Sequence, residues 1–237
     1  MSDPDCHPAV AAILATWPPA GRVSAGGFTL RRGAGGGNRT SAATLDDGPG
    51  DIGVAEAGMR AWGQRPVFMI RPGEAALDAE LAARGYEAYD ATLVLAAAAA
   101  PLAGADVERA LFGDVPLRAI TDVWAAGGIG PERLAVMERV RGRKIYLLGR
   151  QGDRVAGAGF AALDGAAVVV HAVEVAPAAR RTGIGSALLR AAAAWGTEQG
   201  ATQVLLAVTR ANVGALALYR GLGFEEATAY HYRRAPA

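Results

Sequence analysis

The sequence predicts a mixed α/β layer. Three observations carry that expectation. Apolar β-rich runs and helical stripes succeed one another over residues 116–232. Three of the runs follow each other with no helix between them. The remainder does not keep the strict strand–helix alternation of a doubly wound fold. Residues 116–125 and 131–140 read as two helices, Pro131 suiting a first helical turn. Residues 144–149 are an apolar run ended by the turn cluster Arg150-Gln151-Gly152-Asp153. Residues 155–163 form a second run, and Asp164-Gly165 is a hairpin signal. Residues 167–175 (AVVVHAVEV) are β-branched and nearly continuous, as in a strand buried on both faces, and Pro177 stops them. From Gly183 a helix is expected, with Ile184, Leu188, Leu189, Ala192 and Trp195 at helical spacing. Residues 204–208 are a strand. Residues 212–222 are a helix capped by Asn212, with Leu216, Tyr219 and Leu222 along one stripe, and a final strand follows.

Composition bounds the function classes. At 237 residues the chain suits one large domain or two small ones. With 51% hydrophobic and 20% charged residues, a fully disordered chain is excluded. Twenty-four Lys+Arg against 23 Asp+Glu give a net charge of +1, so no global field attracts nucleic acid or an anionic membrane, and neither partner is expected. The single cysteine, Cys6, excludes a disulfide framework and a thiolate metal site and suits a reducing compartment. Residues 1–5 are acidic and lack the apolar stretch of a signal peptide. The longest apolar run, residues 92–105, is broken by Pro101 and falls short of the roughly 18–20 residues a membrane helix needs. A cytoplasmic location is expected.

The two halves of the chain correspond. Ala61-Trp62-Gly63 matches Ala194-Trp195-Gly196, each closing an Ala-rich helical stretch. Val67 to Ile70 matches Val204 to Ala207 as the strand that follows, and residues 74–84 match the helix after Asn212. Arg84-Gly85-Tyr86-Glu87 matches Leu222-Gly223-Phe224-Glu225, each before a β-rich tail. Landmarks in one order point to internal duplication. The expected division is residues 1–100 and 101–237, with the joint near 101–106.

The sharpest local signal is Arg180-Arg181-Thr182-Gly183-Ile184-Gly185, between a buried strand and a helix. Two glycines let backbone approach a ligand, the helix start presents unpaired N–H groups, and the arginines add charge-assisted contacts. Physically this is a pyrophosphate cradle. No Lys-Ser/Thr pair follows, which excludes a Walker loop. Leu188 stands at the third glycine position of a dinucleotide fingerprint, and the G-x-S-x-G elbow is absent despite Ser186.

With Val173-Glu174-Val175-Ala176-Pro177 ahead of it, this loop resembles the signature Arg/Gln-x-x-Gly-x-Gly/Ala of the GNAT superfamily of acetyl-CoA-dependent N-acetyltransferases. Arg180, Gly183 and Gly185 fill it. The family's later motif, Asn-x-x-Ala-x-x-Leu-Tyr then Gly-Phe, is met by Asn212, Ala215, Leu218, Tyr219, Gly223 and Phe224. The resemblance covers residues 144–232, and 116–141 fit the family's paired helices. It implies a GNAT fold: a C-terminal acetyl-CoA-binding domain preceded by a shorter, degenerate GNAT-like domain, as in bacterial tandem members. It further implies that acetyl-CoA is a co-substrate, that no metal takes part, and that acetyl passes to a primary amine of a small molecule by direct attack. A protein amine as acceptor, or a non-catalytic module binding acyl-CoA, are the alternatives. Acceptor identity, acyl length and oligomeric state stay open.

Residue by residue, the resemblance implies that backbone groups of Val173 and Val175 pair with the pantetheine arm. N–H groups of Arg181, Thr182, Gly183, Ile184, Gly185 and Ser186 would hold the pyrophosphate beside Arg180. Asn212 would bond the cofactor near that arm, and Tyr219 would protonate the leaving thiolate. The amine's proton acceptor would be His171, Glu174 or a water. His171 has the fitting intrinsic pKa range and is favoured. Period-two counting sets His171 and Glu174 on opposite faces of a regular strand, and the family's bulge here can break that parity.

No such glycine signature occurs between Leu45 and Trp62, and no tyrosine matches Tyr219 near Leu81. The N-terminal half is therefore expected to lack a cofactor site. Its polar, glycine-rich segment Arg31 to Thr44 resembles one in some bacterial tandem members, and Arg31, Asn38, Arg39 and Ser41 are candidates for the acceptor pocket. The basic run Arg139, Arg141, Arg143, Lys144 reads as a solvated helix end, and Asp46, Asp47 and Asp51 as a turn.

Overall fold

The computed structural model describes residues 7–236 except Asp47, Ala105 and Val107; Cys6 and Asp47 thus lie outside the described residues. The N-terminal half contains α1 (Pro8–Ala15), β1 (Gly21–Ala25), β2 (Phe28–Arg32), α2 (Asn38–Ser41), β3 (Thr44–Leu45), α3 (Ile52–Ala61), β4 (Val67–Ile70), α4 (Ala75–Ala83) and β5 (Glu87–Ala98). Then come α5 (Ala99–Leu102), β6 (Ala110–Gly113), α6 (Arg118–Ala126), α7 (Pro131–Arg139), β7 (Lys144–Gln151), β8 (Arg154–Asp164) and β9 (Ala167–Val175). A 3-10 turn (Pro177–Ala179) leads to α8 (Ile184–Glu198), β10 (Gln203–Thr209), α9 (Val213–Gly221) and β11 (Glu225–Arg234).

β1, β2 and β3 form a small sheet, and eight strands form a mixed sheet in the order β4-β11-β5-β10-β9-β8-β7-β6. The sequence correspondence matches β4 with β10 and β5 with β11, and the four strands read alike from either end. β5 pairs antiparallel with β10, β11 pairs antiparallel with β4, and β5 and β11 pair with each other. Each half therefore lends its last strand to the other half's inner strand. The expected joint at residue 100 falls in α5, across which this sheet is continuous.

α8 covers one face, where Leu188, Leu189 and Ala192 pack with Val168, Val170, Leu206 and Leu147. On the other face α6 and α7 bring Trp124, Val136 and Met137 against Tyr146 and Phe160, and α1 packs Val10 and Ile13 near Val169 and Leu205. Burying one face of an amphipathic α8 and both faces of β9 takes their apolar side chains out of water, at about 25 cal/mol per Å².

Two features of this sheet create a site. β9 and β10 are parallel neighbours only from Gln203↔Ala167 to Leu206↔Val170. Beyond that point β10 stays paired to β5 through Thr209↔Thr92 and β9 to β8 through Val175↔Gly157, so a wedge opens between them. Second, β9 bulges where the partners jump from Phe160↔His171 to Ala158↔Glu174. Ala172 adopts φ +51 there, and its carbonyl accepts from the indole N–H of buried Trp124 at 2.8 Å.

Candidate active site

The loop before α8 has no capping side chain. Gly183 takes a left-handed conformation (φ 91, ψ −1) that a Cβ would strain, and Arg181 also has positive φ, +65. The first α8 bond at this end runs from the Ala187 N–H to the Gly183 carbonyl, so N–H groups of Ile184, Gly185 and Ser186 lack intrahelical partners. A left-handed turn followed by free amides is an anion nest. Thr182 Oγ1 donates to the Ala179 carbonyl at 2.7 Å and Arg109 donates to the Thr182 carbonyl at 2.7 Å, which fixes the loop. Gly185 lets α8 approach α9: a Cβ there would stand 2.9 Å from Leu218 Cδ2.

Val173 and Val175 face the α8 side and border the wedge. The Val175 carbonyl accepts from Arg180 Nε at 3.1 Å, and the same arginine pairs with Glu174 at 3.4 Å, which holds Arg180 beside the end of β9. Asn212 caps α9, its Oδ1 accepting from the Ala215 N–H at 3.1 Å, which leaves its amide NH2 to donate. Tyr219 packs at a tilt of 57° against Phe224 in the α8-side core, 8% exposed, and burial pushes its phenol up to about 12.

The bulge corrects the period-two expectation: His171 and Glu174 lie on the same face, the one covered by α6. His171 lies between Trp17 and Phe160, with ring centroids 4.9 and 6.2 Å away, while Glu174 packs on Gly127 at the end of α6. They do not meet. His171 is 3% exposed, and both ring nitrogens are used. Thr16 Oγ1 donates to the Ala12 carbonyl at 2.7 Å, so toward His171 Nε2, 2.8 Å away, it accepts. Arg39 can only donate, so Nδ1 accepts from it at 2.9 Å. The ring is thus the neutral Nε2–H tautomer, and burial together with the Arg39 charge holds its pKa well below the usual range. The favoured proton acceptor has no free nitrogen to accept with.

Where the wedge opens on this face lies a cavity of about 210 Å³. Ala172 of β9 and Ala207 and Thr209 of β10 form its floor, and Asn38, Arg39 and Asp90 stand in its wall. Arg31 and Ser41 are elsewhere: Arg31 is buried among Ala42, Thr44 and Thr29, and Ser41 donates to the Gly37 carbonyl. Sequence reading missed Asp90, Trp17, Arg133, Tyr230 and Tyr232, all of which line the cavity. Asp90 left one trace: an acidic residue inside the β-rich run Tyr89 to Leu95, as at a bulge. Among the other candidates, Lys144 Nζ donates to three carbonyls at the end of α7 and Asp51 caps α3. Among the described residues no cluster of three metal-ligating side chains occurs, and no helix is long and apolar enough to cross a membrane.

Comparison with known proteins agrees with this geometry. Residues 119–224 match the acetyltransferase (GNAT) family. Streptothricin acetyltransferase from Streptomyces lavendulae is 38% identical over 102 residues, 41% of this chain and 52% of that protein. The chain thus spans about half the length of this curated relative. In fold, a GCN5-related N-acetyltransferase from Kribbella flavida superposes with a TM-score of 0.70 at 18% identity, covering 92% of this chain and 90% of the other. A tandem GNAT protein from the clavulanic acid biosynthesis pathway covers all of this chain and 90% of its own, with a TM-score of 0.61 at 16% identity. The architecture is the mixed α/β GNAT fold.

Proposed function

We propose that this chain is an N-acetyltransferase that moves acetyl from acetyl-CoA to the primary amine of a small molecule. The observation that carries the reading is the uncapped, left-handed start of α8 beside the wedge between β9 and β10, with a cavity where that wedge reaches the opposite face. Acetyl-CoA, when bound, supplies an acyl carbon activated as a thioester. N–H groups of Ile184, Gly185 and Ser186 bind its diphosphate, with Arg180 and Arg181 adding charge, and Val173 offers backbone groups along the wedge. The acceptor amine attacks the carbonyl carbon directly as the C–S bond breaks.

Tyr219 stays protonated at neutral pH because its pKa is about 12. A thiol is the stronger acid, near 8.5, so the phenol serves chiefly as a hydrogen-bond donor to charge gathering on sulfur. His171 acts as a positioning residue that orients Arg39. Glu174 holds Arg180 beside the loop, and water is left to carry off the amine proton. The cavity, about 210 Å³, has room for a small acceptor. Nine of its fourteen lining residues lie outside residues 119–224, so acceptor choice does not follow from the family match. We read the chain as two GNAT-like units meeting near residue 100, the second one active, at work in the cytoplasm where acetyl-CoA is available.

Two measurements test this. Calorimetry should give saturable heat with acetyl-CoA, and CoA thiol release should depend on added amine. No heat would refute the reading; heat without amine-dependent release would leave a binding module.

A further inference from the structure

The cavity wall carries separated charges of both signs. Arg39 stacks on Trp17, its Cζ 5.1 Å from the ring, and one nitrogen is anchored by His171. Among the described residues it has no carboxylate within ion-pairing distance, and neither has Arg133. The Arg133 guanidinium comes within 4 Å of where a Cβ on Gly37 would stand, and Gly37, at φ +94, is a position that favours glycine. Two guanidinium groups therefore converge on residues 37–39 with, among the described residues, no carboxylate in an ion pair with either. Such an arrangement matches a carboxylate, which takes paired N–H donors in a plane.

Among the described residues Asp90 is the only carboxylate lining the cavity. It sits at φ +49 in a bulge of β5, where the partners jump from Tyr230↔Thr92 to Tyr232↔Tyr89. Its Oδ2 accepts from Asn38 Nδ2 at 2.8 Å, and Asn38 Oδ1 accepts from the Tyr89 hydroxyl at 2.9 Å. That chain fixes one carboxylate oxygen, and among the described residues no donor reaches Oδ1. Thr92, two residues on, is paired to Thr209 at the mouth of the wedge, so Asp90 lies close to where the reacting amine must stand. A strained backbone that presents a half-satisfied carboxylate beside a reaction site is a sign of function.

We propose that the acceptor is a small aminocarboxylate: its carboxylate docks on Arg39 and Arg133, and its amine is held by Asp90 at the mouth of the wedge. This rests on the transferase reading above and gives it a substrate class.

The test compares acceptors of equal chain with and without the carboxylate: 4-aminobutyrate against propylamine, lysine against cadaverine. Acetyl-CoA heat is measured first. Thiol release should favour the carboxylate-bearing member of at least one pair by about 10- to 100-fold in kcat/KM, the value of one or two charge-assisted bonds. Arg133→Ala, on an exposed side chain, should collapse that preference toward unity by lowering kcat/KM of the carboxylate-bearing member more than that of the plain amine. Arg39→Ala should do the same, with partial rescue by Arg39→Lys. A merely structural loss would lower both members together. Asp90→Asn, which tolerates the same backbone, should raise acceptor KM about 10-fold with acetyl-CoA affinity unchanged. The proposal is overturned if plain amines react as well as their aminocarboxylate partners. It is also overturned if no pair reacts and CoA-loaded protein gives no heat with any aminocarboxylate. Absence of acetyl-CoA heat would instead remove the transferase reading beneath it.

Discussion

α3 and α8 hold matching places in the two halves, each leading into a strand of the central sheet, and they begin in opposite ways. α8 opens on Gly183 with no side chain over its first amides. α3 opens on Asp51, whose carboxylate accepts from the Val54 N–H at 3.1 Å. Beside it Gly50 is pressed on the Phe28 ring and Leu45, and nearby Asp46 accepts from Thr29. A helix start that binds its own carboxylate has no need of a phosphate and repels one. The same contrast recurs one helix later. Tyr219 and Leu81 are both the seventh residue of their helices, α9 and α4, and Leu81 is a fully buried core residue. One scaffold thus yields a cradle or a plug according to a few side chains at its helix starts.

The most severe way to break this contrast is to write the α3 solution into α8. In Gly183→Asp the new carboxylate would lie close to the Arg109 guanidinium, 3.1 Å from the Cβ position, and so neutralise the loop from within. Acetyl-CoA affinity should fall by about 100-fold or more, as expected for losing two charge-assisted bonds. Folding should survive, since aspartate tolerates a left-handed backbone at a cost of about 1–2 kcal/mol. Calorimetry and a melting curve on one sample separate the two effects; an unchanged affinity would mean that the diphosphate binds elsewhere.

Next in size is the phenol. Tyr219→Phe makes α9 resemble α4 in lacking a donor, and kcat should drop by about 100-fold while the Kd for acetyl-CoA moves little. With a pKa of about 12 the phenol does not ionise below pH 10, so the wild-type rate should show no alkaline fall from Tyr219. Loss of acetyl-CoA affinity with kcat intact would make Tyr219 a packing residue.

The C-terminal elements were legible because their signals are local: alternation, Asp164-Gly165 at the hairpin, Asn212 at the cap. The expected strand 167–175 is β9 to the residue. In the N-terminal half β4 was legible, expected at Val67 to Ile70 and found there, and β5 was legible as a β-rich tail, but β1, β2 and β3 were not. β3 is two residues long, and the nearly all-apolar α1 shows little amphipathic contrast because other elements enclose it. The cavity was legible only at Asn38 and Arg39. Its remaining walls come from distant positions, such as Asp90, which meets Asn38 from 52 residues on. The bulge at Ala172 escaped period-two counting because what stabilises it, the Trp124 indole, lies 48 residues upstream.

His171 is where the halves are tied together, by Thr16 and Arg39 from one side and the bulged strand from the other. The folded ring is neutral and its pKa lies well below 6.5, whereas the unfolded ring titrates near 6.5. Below pH 6.5 the unfolded chain therefore binds a proton that the folded chain refuses. Stability should fall with decreasing pH at up to about 1.4 kcal/mol per unit until the folded pKa is reached. Asp78, lowered by Arg233 and His231, adds a separate loss only as pH drops below its unfolded value of 3.8. His171→Gln, which keeps a donor and an acceptor, should flatten the upper window in urea titrations at pH 7.5, 6.5 and 5.5. It should also leave the shape of the pH–rate profile between pH 7 and 9 unaltered. A changed profile would restore His171 as proton acceptor.

The smallest effect tests the plugged half. Asp51→Ala removes the cap of α3 and should cost about 1 kcal/mol in urea unfolding, the usual value of a side-chain cap. It should not create a second acetyl-CoA site, because uncapping leaves Phe28 and Leu45 packed against Gly50, Asp46 nearby, and Leu81 in place of a phenol. The stoichiometry from calorimetry on Asp51→Ala is the sensitive readout. One site per chain means that packing as well as charge closes the start of α3. Two sites would mean that a single carboxylate had been enough to close it.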